Sequence, residues 1–314
     1  MKLNELRNIF FGGGIAKRLY WQLAREGYTH VLPQIQEVIT ENNEVDSITL
    51  SQDGIILKRA DGVLLYFDFQ QAICRAEIDL LMEGDPEKYD MAYIDQCLSE
   101  HQHGCMLDIG ANVGIFSLNF YQKHNKLKYY LFEPVPTTFK WLLKNADINH
   151  VDTDRYLPFN IGMSDKKGSF IFYVPSSNEA ASLVANEDEF YRKKTTEYGD
   201  YTGDNKIDEI VCSVETVDDF VLGHNIRDIR FIKIDVEGNE LSVLHGAKNT
   251  LCENKPLVYC ELLRMHAKRF GYHPNKVINF MAELGFRCRT IRQGKLIELM
   301  EITDQTVETN FFFD

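Results

Sequence analysis

The stretch MLDIGANVG, residues 106–114, decides the fold class of this chain. Its apolar start is typical of a buried strand that ends at Asp108, and the amphipathic segment IFSLNFYQKH directly after Gly114 predicts a helix. Gly110 and Gly114 supply the backbone freedom that a tight strand-to-helix turn needs. The stretch is therefore predicted to form the first half of a βαβ unit, in which ligands bind beyond the carboxyl end of the strand.

Strand and helix patterns alternate from residue 105 onward. After the first strand, apolar runs that predict further strands stand at KYYLFE, YLPFNIG, RFIKID and LVYCEL, and amphipathic segments follow most of them. FRCRTI and KLIEL close the series as an antiparallel pair, and GSFIFYV forms an extra strand after the third one. This alternation predicts an α/β fold with a doubly wound, mostly parallel sheet that helices cover on both faces.

Residues 1–100 precede this regular pattern and form a predicted N-terminal α+β extension. It contains a helix over residues 15–39, a β-hairpin GIILKRADGVLLYF that turns at Asp61–Gly62, and a second helix at YDMAYIDQCLSE. Three roles are open for the extension: covering the site, recognising an acceptor, or forming the surface of a homodimer. Residues 101–314 are expected to form the main domain.

A polar, poorly periodic insertion interrupts the main domain at residues 176–208. A loop of this length in a compact domain is usually functional or disordered. Its tyrosines Tyr191, Tyr198 and Tyr201 and its place before a core strand favour a lid over the site. A solvated insertion without a role in the site is the alternative.

Composition and charge disfavour several classes of protein. Hydrophobic residues make up 44% of the 314 residues and charged residues 26%, which is typical of a globular domain. The net charge of −13 disfavours nucleic acid as a partner, because phosphate binding relies on lysine and arginine. No apolar run is long enough to span a bilayer and the N-terminus lacks a signal-peptide pattern, so a cytoplasmic location is expected.

Cysteine and histidine usage favours neither a metal site nor a disulfide framework. The seven cysteines are spread without CxxC pairs, which favours reduced thiols. His101, His103 and Cys105 in HQHGC resemble metal ligands, but no second ligand cluster accompanies them. No metal is therefore predicted.

The glycine turn predicts a ligand that contains an amino-acid group. Asp108 repels a pyrophosphate and attracts an ammonium, whereas the N–H groups at the start of the next helix suit a carboxylate. A dinucleotide fingerprint requires G-x-G-x-x-G, but Asn112 stands where the middle glycine should be. Glu133 ends the second strand, where a carboxylate can accept hydrogen bonds from a ribose diol. These residues favour S-adenosylmethionine over a nicotinamide cofactor, so an oxidoreductase on the same architecture is the disfavoured alternative.

Five segments resemble, in order, the FkbM family of S-adenosylmethionine-dependent methyltransferases: MLDIGANVGIFSLNF, YLFEP, NIGMSDKKGSFIFY, ETVDDF and IRFIKIDVEGNELSVLHGA. The resemblance spans roughly residues 88–290 and is most specific in the last segment. It implies a Rossmann-like class I methyltransferase fold, usually a seven-stranded sheet whose last strand is antiparallel. It also implies O-methylation of a hydroxyl, often on a sugar, a glycolipid, a polyketide or a related metabolite.

The resemblance also implies which residues bind the cofactor. The glycine turn would hold the methionine part, the carboxylate after the second strand would hold the ribose, and the NIGMSD turn would flank the adenine. The residues at these positions are Asp108, Gly110, Asn112 and Gly114, then Glu133, then Met163 and Asp165.

A base is expected beside the acceptor, because a free alcohol is a weak nucleophile. Asp235, which follows the fourth strand, is the first candidate, and Glu237, Glu261 and His266 come next. Structural alternatives stay open for three of them. Asp235 could cap a turn, Glu237 could be a favourable charge at a helix N-terminus, and His266 could face solvent.

The sequence therefore predicts an S-adenosylmethionine-dependent O-methyltransferase that acts on a small molecule or a glycan. The acceptor would be a hydroxyl of a sugar, a glycan, a glycolipid or a secondary metabolite. Two alternatives stay open: methylation of an amino or carboxyl acceptor, and a non-catalytic module with the same fold.

Overall fold

The computed structural model describes residues 45–50, 54–67, 87–101, 103–175, 181–183 and 207–314. The predicted helix over residues 15–39 and the three tyrosines of the insertion lie outside this part of the chain. The strands are β1 (Val45–Leu50), β2 (Ile55–Arg59), β3 (Leu64–Phe67), β4 (Gly104–Ile109), β5 (Leu127–Phe132), β6 (Tyr156–Phe159), β7 (Gly162–Met163), β8 (Gly168–Pro175), β9 (Ile207–Glu215), β10 (Ile229–Ile234), β11 (Leu257–Glu261), β12 (Cys288–Arg292), β13 (Lys295–Glu298) and β14 (Asn310–Phe313). The helices are α1 (Lys88–Ser99), α2 (Ile115–Tyr121), α3 (Pro136–Ile148), α4 (Val217–Gly223), α5 (Glu240–Gly246), α6 (Lys248–Asn254), α7 (Arg264–Arg269) and α8 (Asn275–Glu283).

A mostly parallel sheet of eight strands forms the centre of the described structure, in the order β13-β12-β14-β11-β10-β4-β5-β6. Strands β6, β5, β4, β10 and β11 run parallel, whereas β14 lies antiparallel between β11 and β12. β13 pairs antiparallel with β12 at one edge, as predicted for FRCRTI and KLIEL. The predicted Rossmann-like α/β architecture is confirmed, and β14 is an eighth strand beside the seven predicted from the sequence.

Both faces of the central sheet are buried, which explains why its strands are almost continuously apolar. Successive residues point to opposite faces, so that Leu107 and Ile232 join one core whereas Met106 and Phe231 join the other. Helices α5 and α8 contribute side chains to the first core, and α2 and α3 contribute to the second. The sheet is therefore wound with helices on both faces.

The described part of the N-terminal extension packs on the second core. β1, β2 and β3 form a separate antiparallel sheet, and the β2–β3 hairpin turns at Asp61–Gly62 as predicted. Leu57 and Leu65 of this sheet are buried in the same core as α3. The amide of Tyr66 donates to Asn145 Oδ1 of α3 over 2.8 Å, which fixes β3 against that helix.

A third sheet, in the order β7-β9-β8, follows β6. β8 is the extra strand predicted at GSFIFYV, and it pairs antiparallel with β9 along its whole length. β9 was not predicted, because most of its residues are exposed or half-buried and acidic residues stand near its start. β14 was also missed: Phe311, Phe312 and Phe313 are fully buried, but an apolar run this short has no readable period.

Candidate active site

A cavity that opens to solvent lies where β4, β5 and β10 end, and its space, open solvent included, is about 660 Å³. Its apolar walls include Phe132 and Phe172. Six of the residues singled out from the sequence line it: Gly110, Asn112, Glu133, Met163, Asp235 and Glu237.

The turn after β4 is built from left-handed residues, with φ values of 80° at Gly110, 50° at Asn112 and 87° at Gly114. A Cβ added to Gly110 would stand 1.8 Å from the backbone oxygen of Asp235. Only glycine therefore lets the turns after β4 and β10 touch. Gly114 lies outside the cavity wall, and an added Cβ there would stand 2.7 Å from the hydroxyl of Tyr156. The structure thus gives Gly114 a packing role beneath the turn.

Asp108 lies beneath the turn and does not line the cavity. Its carboxyl group is fully buried, with Ser117 Oγ donating to Oδ2 over 2.6 Å and Lys233 Nζ standing 3.6 Å from Oδ1. Burial raises the pKa of Asp108, while Lys233 and Ser117 oppose that shift. A direct contact between this carboxylate and a ligand ammonium stays a prediction.

Glu133 joins the turn after β4 to the start of α3. Its Oε2 accepts from the amide of Asn112 over 3.1 Å, and its Oε1 accepts from the amide of Val135 over 2.8 Å. Burial raises the pKa of Glu133 to about 7, although these two hydrogen bonds oppose the shift. Each oxygen keeps a lone pair that can accept a further hydrogen bond. The carboxyl group can therefore receive two hydroxyl donors at the cavity wall.

The NIGMSD turn contributes one of its two predicted contacts. Met163, in β7, is buried and lines the cavity. Asp165 does not line it, and its Oδ1 lies 3.3 Å from Ser164 Oγ. Asn239 Nδ2 donates to Ser164 Oγ over 3.2 Å and fixes this turn against the start of α5.

Lys233 is a site residue that the sequence reasoning missed. Its Nζ donates to the backbone oxygen of Gly110 over 2.7 Å and lies 3.2 Å from Asp235 Oδ2. Burial alone would lower the pKa of Lys233, but the Asp235 and Asp108 carboxylates outweigh it and raise the pKa, so the ammonium is charged. The signal was present in RFIKID, where a lysine occupies a position of a core strand that should be apolar.

Glu237 and His266 form a close pair. His266 Nδ1 lies 3.0 Å from Glu237 Oε2. Burial, then the carboxylates of Asp235 and Glu240, raises the pKa of Glu237. Burial, then the positive charge of Arg269, lowers the pKa of His266 to about 4. The solvent-facing alternative for His266 is wrong, because the side chain is buried, and the imidazole does not line the cavity.

Glu261, at the end of β11, does not line the cavity either. Burial, then Asp235 and Glu237, raises the pKa of Glu261 well above its ordinary value. Of the four candidate bases, the structure brings two to the cavity wall, Asp235 and Glu237.

Glu240 is a second residue that the sequence reasoning did not single out. Its Oε1 accepts from the amide of Gly238 over 2.8 Å, and Tyr272 Oη lies 2.9 Å from its Oε2. Burial raises the pKa of Glu240 to about 7. Since Glu237 and Gly238 both have positive φ, this carboxyl group holds a turn that the backbone alone would not favour.

Two further observations apply to the described residues only. They contain no group of three or more His, Cys, Asp or Glu side chains arranged to hold a metal ion. They also contain no helix with the length and apolar character needed to cross a membrane.

The family described as the methyltransferase FkbM domain matches residues 108–288, more than half of the chain. The chain belongs to the FkbM methyltransferase family. The match begins at Asp108 and ends at Cys288, so it contains every strand end that contributes to the cavity.

Curated relatives of this FkbM-family chain include three named methyltransferases. Methyltransferase 1 of Beauveria bassiana is 27% identical over 49% of this chain and 64% of its own length. The 2-O-methyltransferase NoeI of Sinorhizobium fredii is 26% identical over 52% of this chain and 65% of its own length. The hexuronic acid methyltransferase AglP of Haloferax volcanii is 27% identical over 56% of this chain and 60% of its own length. The matches thus span less than two thirds of these relatives.

Among solved structures, an FkbM methyltransferase from Methylobacillus flagellatus is similar with a TM-score of 0.42 and 15% identity. The similarity covers 68% of this chain and 44% of that one.

Proposed function

We propose that this FkbM-family chain is an S-adenosylmethionine-dependent O-methyltransferase whose acceptor is a hydroxyl of a sugar, a glycan, a glycolipid or a secondary metabolite. The observation that carries the proposal is the cavity itself. It brings together the glycine turn after β4, Glu133 after β5 and Asp235 after β10. NoeI is named a 2-O-methyltransferase and AglP a hexuronic acid methyltransferase, which supports hydroxyl and sugar chemistry.

The residues at the cavity wall fit the proposed cofactor. Gly110 lines the cavity and has no side chain, so a ligand can approach the bare backbone of this turn. Gly110 and Asn112 would hold the methionine part. Glu133 would accept from the two ribose hydroxyls, and Met163 would lie beside the adenine.

S-adenosylmethionine supplies a methyl group that its sulfonium already activates. The chain must then align the acceptor oxygen and remove its proton. Asp235 is the proposed base, because the residue lines the cavity and its side chain is part exposed. Lys233, whose ammonium also bonds the Gly110 carbonyl, would orient this carboxylate toward the acceptor.

The other three candidate bases are less suited to proton removal. The raised pKa of Glu237 keeps more of its carboxyl group protonated at neutral pH. Glu261 and His266 do not reach the cavity wall. The geometry therefore favours Asp235, and the Glu237–His266 pair would shape the wall beside it.

Titration calorimetry with S-adenosylhomocysteine and with NADH tests the cofactor. Wild type should bind S-adenosylhomocysteine and not NADH, and Glu133→Gln should weaken that binding because one acceptor oxygen is lost. Glu298→Gln, in the edge strand β13, is the matched control and should bind as wild type does. Binding of NADH alone would contradict the proposal.

Transfer of a labelled methyl group then tests the acceptor class. The acceptor pools are neutral sugars, lipid-linked glycans and amino compounds, and label is expected in the hydroxyl-bearing pools. Label in the amino pool would favour the N-methyltransferase alternative. Tight cofactor binding without transfer to any pool would favour a non-catalytic module. A cytoplasmic location and a homodimer stay predictions.

A further inference from the structure

Thr138 is a buried residue of the cavity wall that has no role in the proposed function. It lies in the first turn of α3, a helix of 13 residues, and its side chain is only 3% exposed. Its Oγ1 has no hydrogen-bond partner within the described part of the chain. The same residue lines the cavity beside Glu133 and Pro134.

An unpaired hydroxyl at such a position costs stability. Buried polar groups in native proteins are nearly always hydrogen-bonded, and each exception calls for an explanation. A valine in place of Thr138 would fill the same space without that cost. The hydroxyl is therefore better explained by a polar atom that enters the cavity than by the packing of α3.

The position of Thr138 indicates which part of a ligand it meets. Glu133 and Thr138 belong to one β5–α3 connection, since Glu133 Oε1 accepts from the amide of Val135 immediately before α3. Phe132 and Pro134 of the same connection also line the cavity. This wall is the one that Glu133 would use for the ribose, whereas the methionine part would lie on the turn after β4.

We infer that the Thr138 hydroxyl hydrogen-bonds the nucleoside half of the cofactor, beside Glu133. This inference rests on the proposed function, because it takes S-adenosylmethionine as the occupant of the cavity. A hydroxyl donates one hydrogen bond and accepts others, so it suits either a ribose hydroxyl or a ring nitrogen. Thr138 is thus a ligand-binding residue and not part of the base.

The test compares Thr138→Val with Thr137→Val, its exposed neighbour in the same turn. Each variant is titrated with S-adenosylhomocysteine and with 5′-methylthioadenosine, which has the nucleoside without the amino-acid part. Thr138→Val should bind both ligands roughly five- to tenfold more weakly, as expected for one lost hydrogen bond. Thr137→Val should bind as wild type does, and Thr138→Ser, which keeps the hydroxyl, should restore affinity.

Urea unfolding of the free protein separates binding from folding. Thr138→Val should be as stable as wild type or more stable, because an unpaired hydroxyl is removed. Wild-type affinity of Thr138→Val for both ligands would overturn the inference and leave the proposed function intact, as would weakening confined to S-adenosylhomocysteine. Failure of wild type to bind either ligand would overturn the proposed function and this inference together.

Discussion

One residue, Lys233, balances the negative charges of the candidate site. Lys233 contacts the Gly110 carbonyl, the buried Asp108 and the part-exposed Asp235. Burying one unpaired carboxylate would be costly, whereas a shared ammonium offsets the repulsion between two of them. The Asp235 carboxylate is therefore held in place by its ion pair with Lys233.

Asp235→Asn is expected to lower the rate of methyl transfer by about 100-fold or more, because it removes the proposed base. The affinity for S-adenosylhomocysteine should change little, since the amide occupies the same volume. Steady-state kinetics and calorimetry on one preparation measure the two effects. Asp147→Asn, an exposed substitution in α3, is the control. An unchanged rate for Asp235→Asn would exclude this residue as the base.

The turns after β4 and β10 touch each other, and this contact shapes the cavity between them. Gly110→Ala would bring a Cβ within 1.8 Å of the Asp235 backbone oxygen at a φ of 80°. Gly62→Ala is a matched control, because its φ is 91° and no atom lies within 4 Å of the added Cβ. Urea unfolding should show a loss of about 1–2 kcal/mol for Gly62→Ala, from left-handed strain alone. Gly110→Ala should lose clearly more and should also lose cofactor affinity. An equal loss of unfolding free energy in Gly110→Ala and Gly62→Ala would mean that the two turns can move apart without cost.

The turn between β10 and α5 makes stability depend on pH. The folded-state pKa of Glu240 is raised to about 7 from 4.5, so its contribution to stability is complete below pH 4.5. That contribution falls as pH rises toward 7, by up to about 3 kcal/mol for this group.

Glu240→Gln imitates the protonated carboxyl group and should flatten this slope between pH 5 and pH 7. Its amide oxygen can accept from Gly238, and its nitrogen can donate to Tyr272. Urea unfolding at four pH values measures the slope, with the exposed Glu298→Gln as control. A Glu240→Gln slope identical to that of wild type would contradict the assignment.

β14 completes the core where several parts of the molecule meet. β14 lies between β11 and β12, and Phe312 packs edge-on against Tyr93 of α1 with ring centroids 5.0 Å apart. Phe312 also lies 4.9 Å from the ring of Tyr259 in β11. The C-terminal strand thus joins the N-terminal extension to the central sheet.

Phe312→Ala is expected to lower the free energy of unfolding by about 3–5 kcal/mol, because it leaves a cavity where these three elements meet. Leu222→Ala, at an 81% exposed side chain of α4, should change it by less than about 0.5 kcal/mol. Chemical denaturation of both variants under one condition measures the difference. A small loss for Phe312→Ala would mean that β14 contributes little to the core.

Much of the fold could be predicted because it depends on local pattern. The parallel strands are buried on both faces, so each is a continuous apolar run, and the helices between them have the helical period. β9 and β14 could not be predicted in the same way. One is mostly solvated, and the other is a run of three phenylalanines whose place between β11 and β12 depends on distant partners.

The sequence could predict which residues lie near the site, because the ends of strands can be located from the sequence. Asp108, Glu133 and Asp235 each follow an apolar run, and the parallel topology brings such ends to one edge of the sheet. What each side chain faces depends on contacts between residues far apart in the chain. The tertiary structure buries Asp108 under the turn with Lys233, and it leaves Asp235 at the cavity wall.

The sequence indicated the family, the alternation of strands and helices, and the edge of the sheet where the cavity lies. Those properties follow from periodicity and from short motifs along the chain. The tertiary structure decided the partners of each charge, the contact between the turns after β4 and β10, and the unpaired hydroxyl of Thr138. These depend on distances between residues far apart in the chain, which no local pattern encodes.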